Sequence, residues 1–443
     1  MTTTERLYEI FLKHPTVSTD TRTITPGCIF FALKGGNFNG NQFAAEALSK
    51  GAAYAVIDEQ EFAASERCLM VNDVLTALQK LAAHHRKVLG ANGLKVVALT
   101  GSNGKTTTKE LMARVLAKKY NVLFTEGNLN NHIGVPLTLL RLNASHEVAV
   151  IEMGANHQGE IRDLCAIADP DCGLITNIGL AHLEGFGGEE GVFKGKTEML
   201  LHLEAKENGF AFLLEDEVRL HHFKERLPNL SYGTSVTAQV QGALLNSYAP
   251  EESRGPFVSY QWHADGVAPH DVHTHMIGSY NLPNMLGATA VGLHFGVSSA
   301  QCDEAIASYV PENNRSQLEH RGSNTLILDC YNANPSSMIA AIENMAATPA
   351  AGKMLLLGDM FELGDSSASE HQRIVDFLSA NTPEAKVILV GKHFSATSDR
   401  HGFVRMENSA EAKNWLEKNV PFETLILIKG SRGMKMETVA EAL

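Results

Sequence analysis

The stretch Lys95-Val96-Val97-Ala98-Leu99-Thr100-Gly101-Ser102-Asn103-Gly104-Lys105-Thr106-Thr107 decides how the rest of the chain is read. Its first six residues form a short apolar run of the kind that parallel sheets bury on both faces. Gly101 and Gly104 mark a turn, and a helical segment follows from Thr106 to Tyr120. Strand, glycine turn and helix start together make an anion cradle. Amides at the helix start point at phosphate oxygens, the helix dipole adds a favourable field, and Lys105 brings a full charge. Thr106 follows the lysine, where a hydroxyl ligates Mg²⁺ in such loops. The general loop carries a glycine five positions before Gly104, where this chain has Leu99, so this is a shorter variant. Gly101, Ser102, Asn103, Gly104, Lys105, Thr106 and Thr107 are therefore the candidate ATP-phosphate site.

Outward from this loop, strand, loop and helix keep alternating. Glu147 to Met153, Gly173 to Ile178 and Gly209 to Leu214 read as further strands with helical patterns between them, which argues for a doubly wound parallel sheet. Val240 to Ile277 alternates apolar and polar residues, which predicts an antiparallel side sheet. Helices over Asn281–Phe295 and Ser298–Tyr309 close this block, and Ser298-x-x-Gln301 has the form of a capping box. Before it, residues 1–92 hold short apolar runs (Cys28 to Leu33, Ala53 to Ile57) and a helix over Val74–Leu89, a small α/β unit ending at Ala91-Asn92-Gly93. After it, Pro311-Glu312-Asn313-Asn314 reads as a linker. Strands are then expected at Thr325–Asp329, Lys353–Gly358, Lys386–Gly391 and Thr424–Lys429. Helices are expected from Pro335, capped by Asn334, and from Ser367-x-x-Glu370, another capping box. The fold class is α/β in three domains: a small α/β substrate domain (1–92), a central P-loop ATPase domain (93–310) and a Rossmann-like C-terminal domain (311–443).

At 443 residues, with 44% hydrophobic and 20% charged side chains, the chain has the composition of a globular protein and a length that suits about three domains. A net charge of −13 and the lack of any long basic run argue against a nucleic-acid partner. Six cysteines show neither C-x-x-C pairs nor metal-like spacing, so they read as reduced, buried thiols. No signal-like start and no apolar stretch of spanning length are present, so a cytoplasmic protein without membrane contact is expected.

Ordered, separated segments then resemble one family, the Mur ligases, the ATP-dependent amide-bond-forming enzymes of peptidoglycan precursor synthesis. They are the loop from Thr100 to Glu110, Asn128 to Leu140, Glu152-Met153-Gly154-Ala155-Asn156 and Thr176 to Gly187. They continue in Asp329 to Met338, Leu357-Gly358-Asp359-Met360-Phe361-Glu362-Leu363-Gly364 and Lys429 to Lys435. The resemblance implies cytoplasmic ligation through an acyl phosphate made from ATP, with UDP-N-acetylmuramoyl-tripeptide and D-alanyl-D-alanine as small-molecule substrates and a monomeric enzyme. Asp329-Cys330-Tyr331-Asn332-Ala333-Asn334-Pro335 favours this dipeptide-adding chemistry over relatives that add one amino acid, or a folylpolyglutamate synthase. An NTPase switch without ligation would need a further strand aspartate for Mg²⁺ and a water-positioning loop, and neither is evident.

The resemblance also assigns residues. Glu152 and His182 stand at the carboxyl ends of predicted strands, where ligands collect, and match metal-binding positions. Taken alone, they would read as a strand-end carboxylate and a loop histidine. Lys196 matches a lysine carried as a carbamate, which with Thr106, Glu152 and His182 would hold Mg²⁺, two ions in all; by spacing alone it is a solvated helix lysine beside Lys194. Lys105, Glu152, His182 and Lys196 thus form the catalytic set. Asn281 and Asn284 match an adenine-proximal segment in which Tyr280 replaces the usual histidine. Arg315 matches a γ-phosphate arginine, and Asp329 a ribose-contacting aspartate. Ser18, Asp20 and Arg22, with Lys34 near them, match the segment that meets the uridine diphosphate. Leu214-Glu215-Asp216-Glu217 departs from the family's usual sequence at the nucleotide pocket.

Overall fold

Three large sheets and a two-stranded ribbon organise the described residues of the chain, seen in a computed structural model. Residues 1–180, 182–245, 256–312, 314–382, 384–398 and 402–443 are described. Ala181, Asn313 and the 246–255 part of the predicted side sheet lie outside them.

The first sheet has four parallel strands, Val17–Ser18, Ile29–Phe31, Tyr54–Ile57 and Cys68–Met70, in that order. Helix Val74–Ala91 opens on Asp73, whose side chain accepts from the Thr76 amide at 2.7 Å. It buries Leu78, Leu81, Ala82, His85 and Leu89, the spacing of one helical face. That face packs into a core shared with Val135, Leu139, Ile161 and Leu164 of the next unit. Polar bonds bolt it there. His85 Nε2 meets the Leu142 carbonyl at 2.9 Å, and Arg86 donates to the Ala168 carbonyl at 3.1 Å and to Asp171 at 2.8 Å. Truncating Leu81 to alanine would cost about 3 kcal/mol in such a core. The chain leaves this unit at Asn92–Gly93, but the apolar core is continuous across that point.

The second sheet has nine strands. From edge to edge they are Val267–Ile277, Phe257–Ala264, Val240–Leu244, Asn229–Gly233, Phe210–Leu214, Cys172–Ile175, Lys95–Thr100, Val148–Glu152 and Val122–Phe124. The chain leaves Lys95–Thr100 for the far edge, returns to pair on one side of it, then crosses to its other side. This places a topological switch point at the phosphate-loop strand, and ligands of such sheets bind beyond the strands' carboxyl ends there. The antiparallel strands differ from the expected separate side sheet. Val240–Leu244 pairs parallel to Asn229–Gly233 and antiparallel to Phe257–Ala264, so they continue the main sheet. Tyr232, Tyr260 and Trp262 of this extension pack with Met285, Leu286 and Val291 of helix Leu282–His294, which favours one continuous layer. The helix after the loop is Lys105–Leu116, shorter than predicted. Lys119 Nζ bonds the Phe295 and Gly296 carbonyls and Tyr120 Oη bonds that of Phe295, drawing the segment into a turn.

The third sheet runs Gln317–Arg321, Asn324–Asp329, Thr424–Lys429, Gly352–Gly358, Lys386–Val390, Val404–Met406, all parallel except the first. Both edge strands escape the sequence pattern. One is polar and the other has three residues. The capping box at Ser298 forms, as does the Asn334 cap. The one expected at Ser367 does not: the helix starts there without a side-chain cap, and the Ser367 hydroxyl lies 3.3 Å from His393 Nδ1.

Candidate active site

The phosphate loop is wired in place by residues far from it in sequence. Gly101 has φ +146 and Gly104 φ +76; a Cβ on the first would meet Thr176 Oγ1 at 2.0 Å, and on the second Asn284 Oδ1 at 2.6 Å. Only glycine fits both the conformation and the space. The Ser102 amide donates to the Asn177 carbonyl at 3.1 Å, the Asn103 amide to Asn177 Oδ1 at 2.9 Å, and Thr176 Oγ1 to the Asn103 carbonyl at 2.6 Å. Lys105 Nζ folds back onto the carbonyls of Gly101 (2.7 Å) and Ser102 (3.1 Å). Burial pushes its ammonium below the usual lysine range; Glu152 pulls it back up and Arg315 pushes it further down. Thr107 lies on the same helix start, half-buried.

Behind the loop, Thr106 Oγ1 donates to Glu152 Oε2 at 3.0 Å and Asn130 Nδ2 to Glu152 Oε1 at 2.8 Å. Glu152 is 1% exposed, and both of those partners are neutral. A buried carboxylate held only by neutral donors suits a cation. Mg²⁺ takes one or two protein oxygens and leaves the remaining positions to water and phosphate. The pair Thr106–Glu152 fits that donor set. Among the described residues, no group of three His, Cys, Asp or Glu side chains gathers as a closed metal cage.

Lys196 is 1% exposed on helix Glu189–Ala205, its Nζ 3.4 Å from the Ala155 carbonyl and 5.0 Å from the Phe186 ring centre. Burial, reinforced by the charge of Lys105, brings its pKa down to about 7 against the pull of Glu160 and Glu198. Lys194 is exposed and pairs with Glu190 at 3.5 Å. Burial therefore separates two lysines that spacing leaves equivalent, and it favours the neutral amine at Lys196. Lys109, absent from the sequence-derived set, is also 1% exposed, one turn beyond Lys105. Burial lowers its pKa and Glu152 raises it.

His182 takes φ +54 before the short helix Leu183–Phe186. Its Nδ1 lies 2.6 Å from Glu362 Oε2 of the C-terminal sheet unit, an ion-pair distance without hydrogen-bond alignment. That contact holds the Glu362 carboxyl below its usual range. The structure thus brings Thr106 and Glu152 together directly, whereas the polar partner of His182 is Glu362. Asn281 and Asn284 are buried in a ladder: Thr108 Oγ1 donates to Asn284 Oδ1 (3.1 Å), Asn284 Nδ2 to Asn281 Oδ1 (2.9 Å), and Asn281 Nδ2 to the Ile277 carbonyl (2.8 Å). They buttress the helix that starts at Lys105. Arg315 stacks on Tyr331, its guanidinium carbon 3.5 Å from the ring centre. Asp329 pairs with Lys429 and accepts the Ser316 amide at 3.2 Å.

The C-terminal unit touches the loop itself. Asn334 Nδ2 donates to Asn103 Oδ1 at 2.7 Å, and Asn103 Nδ2 to Ser336 Oγ at 3.0 Å. Sequence reading made Asn334 a helix cap; it is a cap and a clasp on the phosphate loop. The divergent segment at 215–217 is tied to its neighbours, although Glu215 Oε2 is buried without a hydrogen-bond partner. Glu215 meets Lys224 at 2.6 Å, Asp216 accepts the Thr234 amide at 2.7 Å, and Glu217 pairs with Arg219 at 2.8 Å.

In the first sheet unit, Ser18 Oγ donates to the Asp20 carbonyl at 2.9 Å and Arg22 chelates the Asp20 carboxylate, Nε–Oδ1 3.0 Å. That pairing drops the Asp20 pKa to about 2. Lys34 lies on the two-stranded ribbon and pairs with Asp58 at 3.0 Å and Glu59 at 3.2 Å, so its charge is already matched.

Three family models cover most of the chain: Mur ligase family, catalytic domain (residues 15–86), Mur ligase middle domain (99–292) and Mur ligase, glutamate ligase domain (314–432). A UDP-N-acetylmuramoyl-tripeptide–D-alanyl-D-alanine ligase of Bacillus subtilis is 35% identical, covering 96% of this chain and 92% of its own. A crystal structure of MurF from Acinetobacter baumannii superposes with TM-score 0.84 at 32% identity, over 96% of this chain and 92% of that one. The MurF ligase of Thermotoga maritima in complex with ADP gives 0.85 at 27%, over 97% of each.

Proposed function

The chain belongs to the Mur ligase family, and on that footing we propose how its residues divide the work of an ATP-dependent ligase joining D-alanyl-D-alanine to UDP-N-acetylmuramoyl-tripeptide in peptidoglycan synthesis. The central unit, from about residue 93 to 310, binds ATP at the loop from Gly101 to Thr107. Lys105 and the loop amides take the β- and γ-phosphates once Lys105 leaves the loop carbonyls it now contacts. The tripeptide carboxylate attacks the γ-phosphorus, ADP leaves, and an acyl phosphate forms. The dipeptide amine then adds to the carbonyl carbon, loses a proton, and the tetrahedral centre collapses with loss of phosphate.

Mg²⁺, two ions held by Thr106, Glu152, His182 and carbamylated Lys196, would supply neutralisation of charge on the phosphate oxygens. The carbamate arises when neutral Lys196 Nζ adds to CO₂ and releases a proton, leaving one negative charge shared by two oxygens. Lys105 and Lys109 help to balance the resulting charge. Residues 1–92, through Ser18, Asp20, Arg22 and Lys34, receive the UDP group, and the unit from 311 brings Arg315 toward the γ-phosphate and Asp329 toward the ribose. Asn281 and Asn284 hold the floor of the adenine side. The enzyme works as a monomer on small molecules in the cytoplasm, where its free cysteines stay reduced.

The observation that carries this assignment of roles is Lys196, wholly buried against the Ala155 carbonyl, its pKa brought down to about 7 first by burial and then by the charge of Lys105. A generic ATPase has no use for a neutral amine there. The test of the overall reaction is phosphate release by the purified chain with ATP, UDP-N-acetylmuramoyl-tripeptide and D-alanyl-D-alanine. Release is expected only with all three. Equal release without the dipeptide, or with single amino acids in its place, would overturn the assignment.

A further inference from the structure

The segment Asp359 to Gly364 of the C-terminal unit is a rigid strap. The Asp359 amide bonds the Val390 carbonyl at 3.0 Å, the Met360 amide bonds His371 Nε2 at 3.0 Å, and the Phe361 amide bonds Ser431 Oγ at 2.9 Å. Met360 is wholly buried. What this strap presents is Glu362, at φ +65 and with a side chain 57% exposed, facing His182 at φ +54. Two non-glycine residues in the left-handed region, on two different units, meet at one contact of 2.6 Å. Each costs of order 1 kcal/mol to hold there, and such residues cluster at functional sites. The approach is close on both sides. A Cβ on Gly364 would stand 3.1 Å from Glu184 Cβ, so the strap lies directly on the His182 loop.

A carboxylate at Nδ1 has a defined consequence for an imidazole. At a contact of 2.6 Å it restricts where the ring can turn, and metal-bound histidines are commonly oriented by such a partner. We propose that Glu362 is a positioning residue for His182: delivered by the C-terminal unit, its carboxylate orients the imidazole so that Nε2 faces the divalent-cation site. This rests on the reading of His182 as a metal ligand. Its consequence is coupling. The cation site is complete only when the C-terminal unit is seated, because the group that orients one ligand is carried by that unit. The Asn103–Asn334 clasp seats the same unit on the phosphate loop, so cation and phosphate are read by one closure.

The test titrates Mn²⁺ into the full chain with saturating ADP and bicarbonate, reading bound ion by electron paramagnetic resonance. Glu362→Ala is expected to weaken Mn²⁺ binding about tenfold, Glu362→Gln to stay within about twofold because a side chain of the same size still abuts the ring, and His182→Ala to weaken it at least as much as Glu362→Ala. Melting temperatures of both Glu362 variants should match the wild type, since that side chain is more than half exposed. Normal Mn²⁺ binding by Glu362→Ala with weak binding by His182→Ala would overturn the positioning role and leave the metal-ligand reading standing. Normal binding by His182→Ala would overturn that reading and this proposal with it. Glu362→Gln as weak as Glu362→Ala would also overturn the positioning role.

Discussion

The phosphate-loop centre and the Ser18–Arg22 turn are both clusters of polar side chains, but they are held by different means. Around the loop, several polar groups find partners distant in sequence: Thr106 with Glu152, Asn103 with Asn334, Thr108 with Asn284. In the turn, Ser18, Asp20, Arg22 and Thr23 satisfy one another within five residues. Long-range bonds place a site before its ligand arrives, and burial makes each charge in it costly and shifted. Local bonds at the surface fix little beyond the turn itself, and Arg22, 86% exposed in its side chain, can exchange partners. The first arrangement suits chemistry on phosphates; the second suits capture of a ligand that arrives from solvent.

The comparison breaks most sharply at Lys105. Lys105→Met is expected to lower kcat about 10³-fold in phosphate release, the scale of losing a charged group aimed at developing negative charge. Activity above a tenth of wild type would show that the loop amides suffice. Lys196→Met should cost about 100-fold, and Lys196→Ala should regain activity with short carboxylic acids that replace the carbamate oxygens. Loss without rescue would leave Lys196 a structural residue. The same residue has a stability signature. Its pKa falls from 10.5 to about 7 on folding, so between those values the unfolded chain binds more protons. Wild-type stability therefore rises as pH climbs from about 7 to 10.5, and Lys196→Met should flatten that slope. At pH 7 without bicarbonate the variant should be more stable in urea by on the order of 3 kcal/mol, losing function as it gains stability.

Legibility in the sequence follows the same division. The strand before Gly101 could be read because burial on both faces demands an unbroken apolar run, and the loop because its geometry demands glycine. Edge strands such as Gln317–Arg321 and Val404–Met406 bury too little to leave such a pattern. Lys196 and Lys194 looked alike because spacing along a helix reports a face, not whether another element covers it. Lys109 and Asn334 escape the sequence reading as site residues, and Asn103 is legible there only as part of the loop, because their partners lie on other elements or other units. No local rule encodes a bond between residues 103 and 334. Glu362 shows the same limit: it lies within a segment that resembles the family, but only the packed strap brings it to His182.

The smallest effects belong to the turn, and they test whether it is a binding site or only a turn. Arg22→Ala should raise KM for the UDP substrate about tenfold with kcat little changed, the mark of lost uniform binding. Its melting temperature should not move, since the Arg22–Asp20 pair is exposed. Asp20 provides the finer probe. Its pKa is depressed to about 2, first by the Arg22 side chain, so whatever the pair adds to stability is present above about pH 4 and fades as pH falls toward 2. In Arg22→Ala the carboxyl should titrate above its wild-type value, though the amide of residue 22 still lowers it, a shift visible by NMR. If Arg22 turns to the substrate's phosphates, UDP-N-acetylmuramoyl-tripeptide should raise the Asp20 pKa in the wild-type chain in the same direction. An Asp20 carboxyl that ignores saturating substrate would mean that Arg22 never leaves it, and the UDP group would have to be held elsewhere in the first unit.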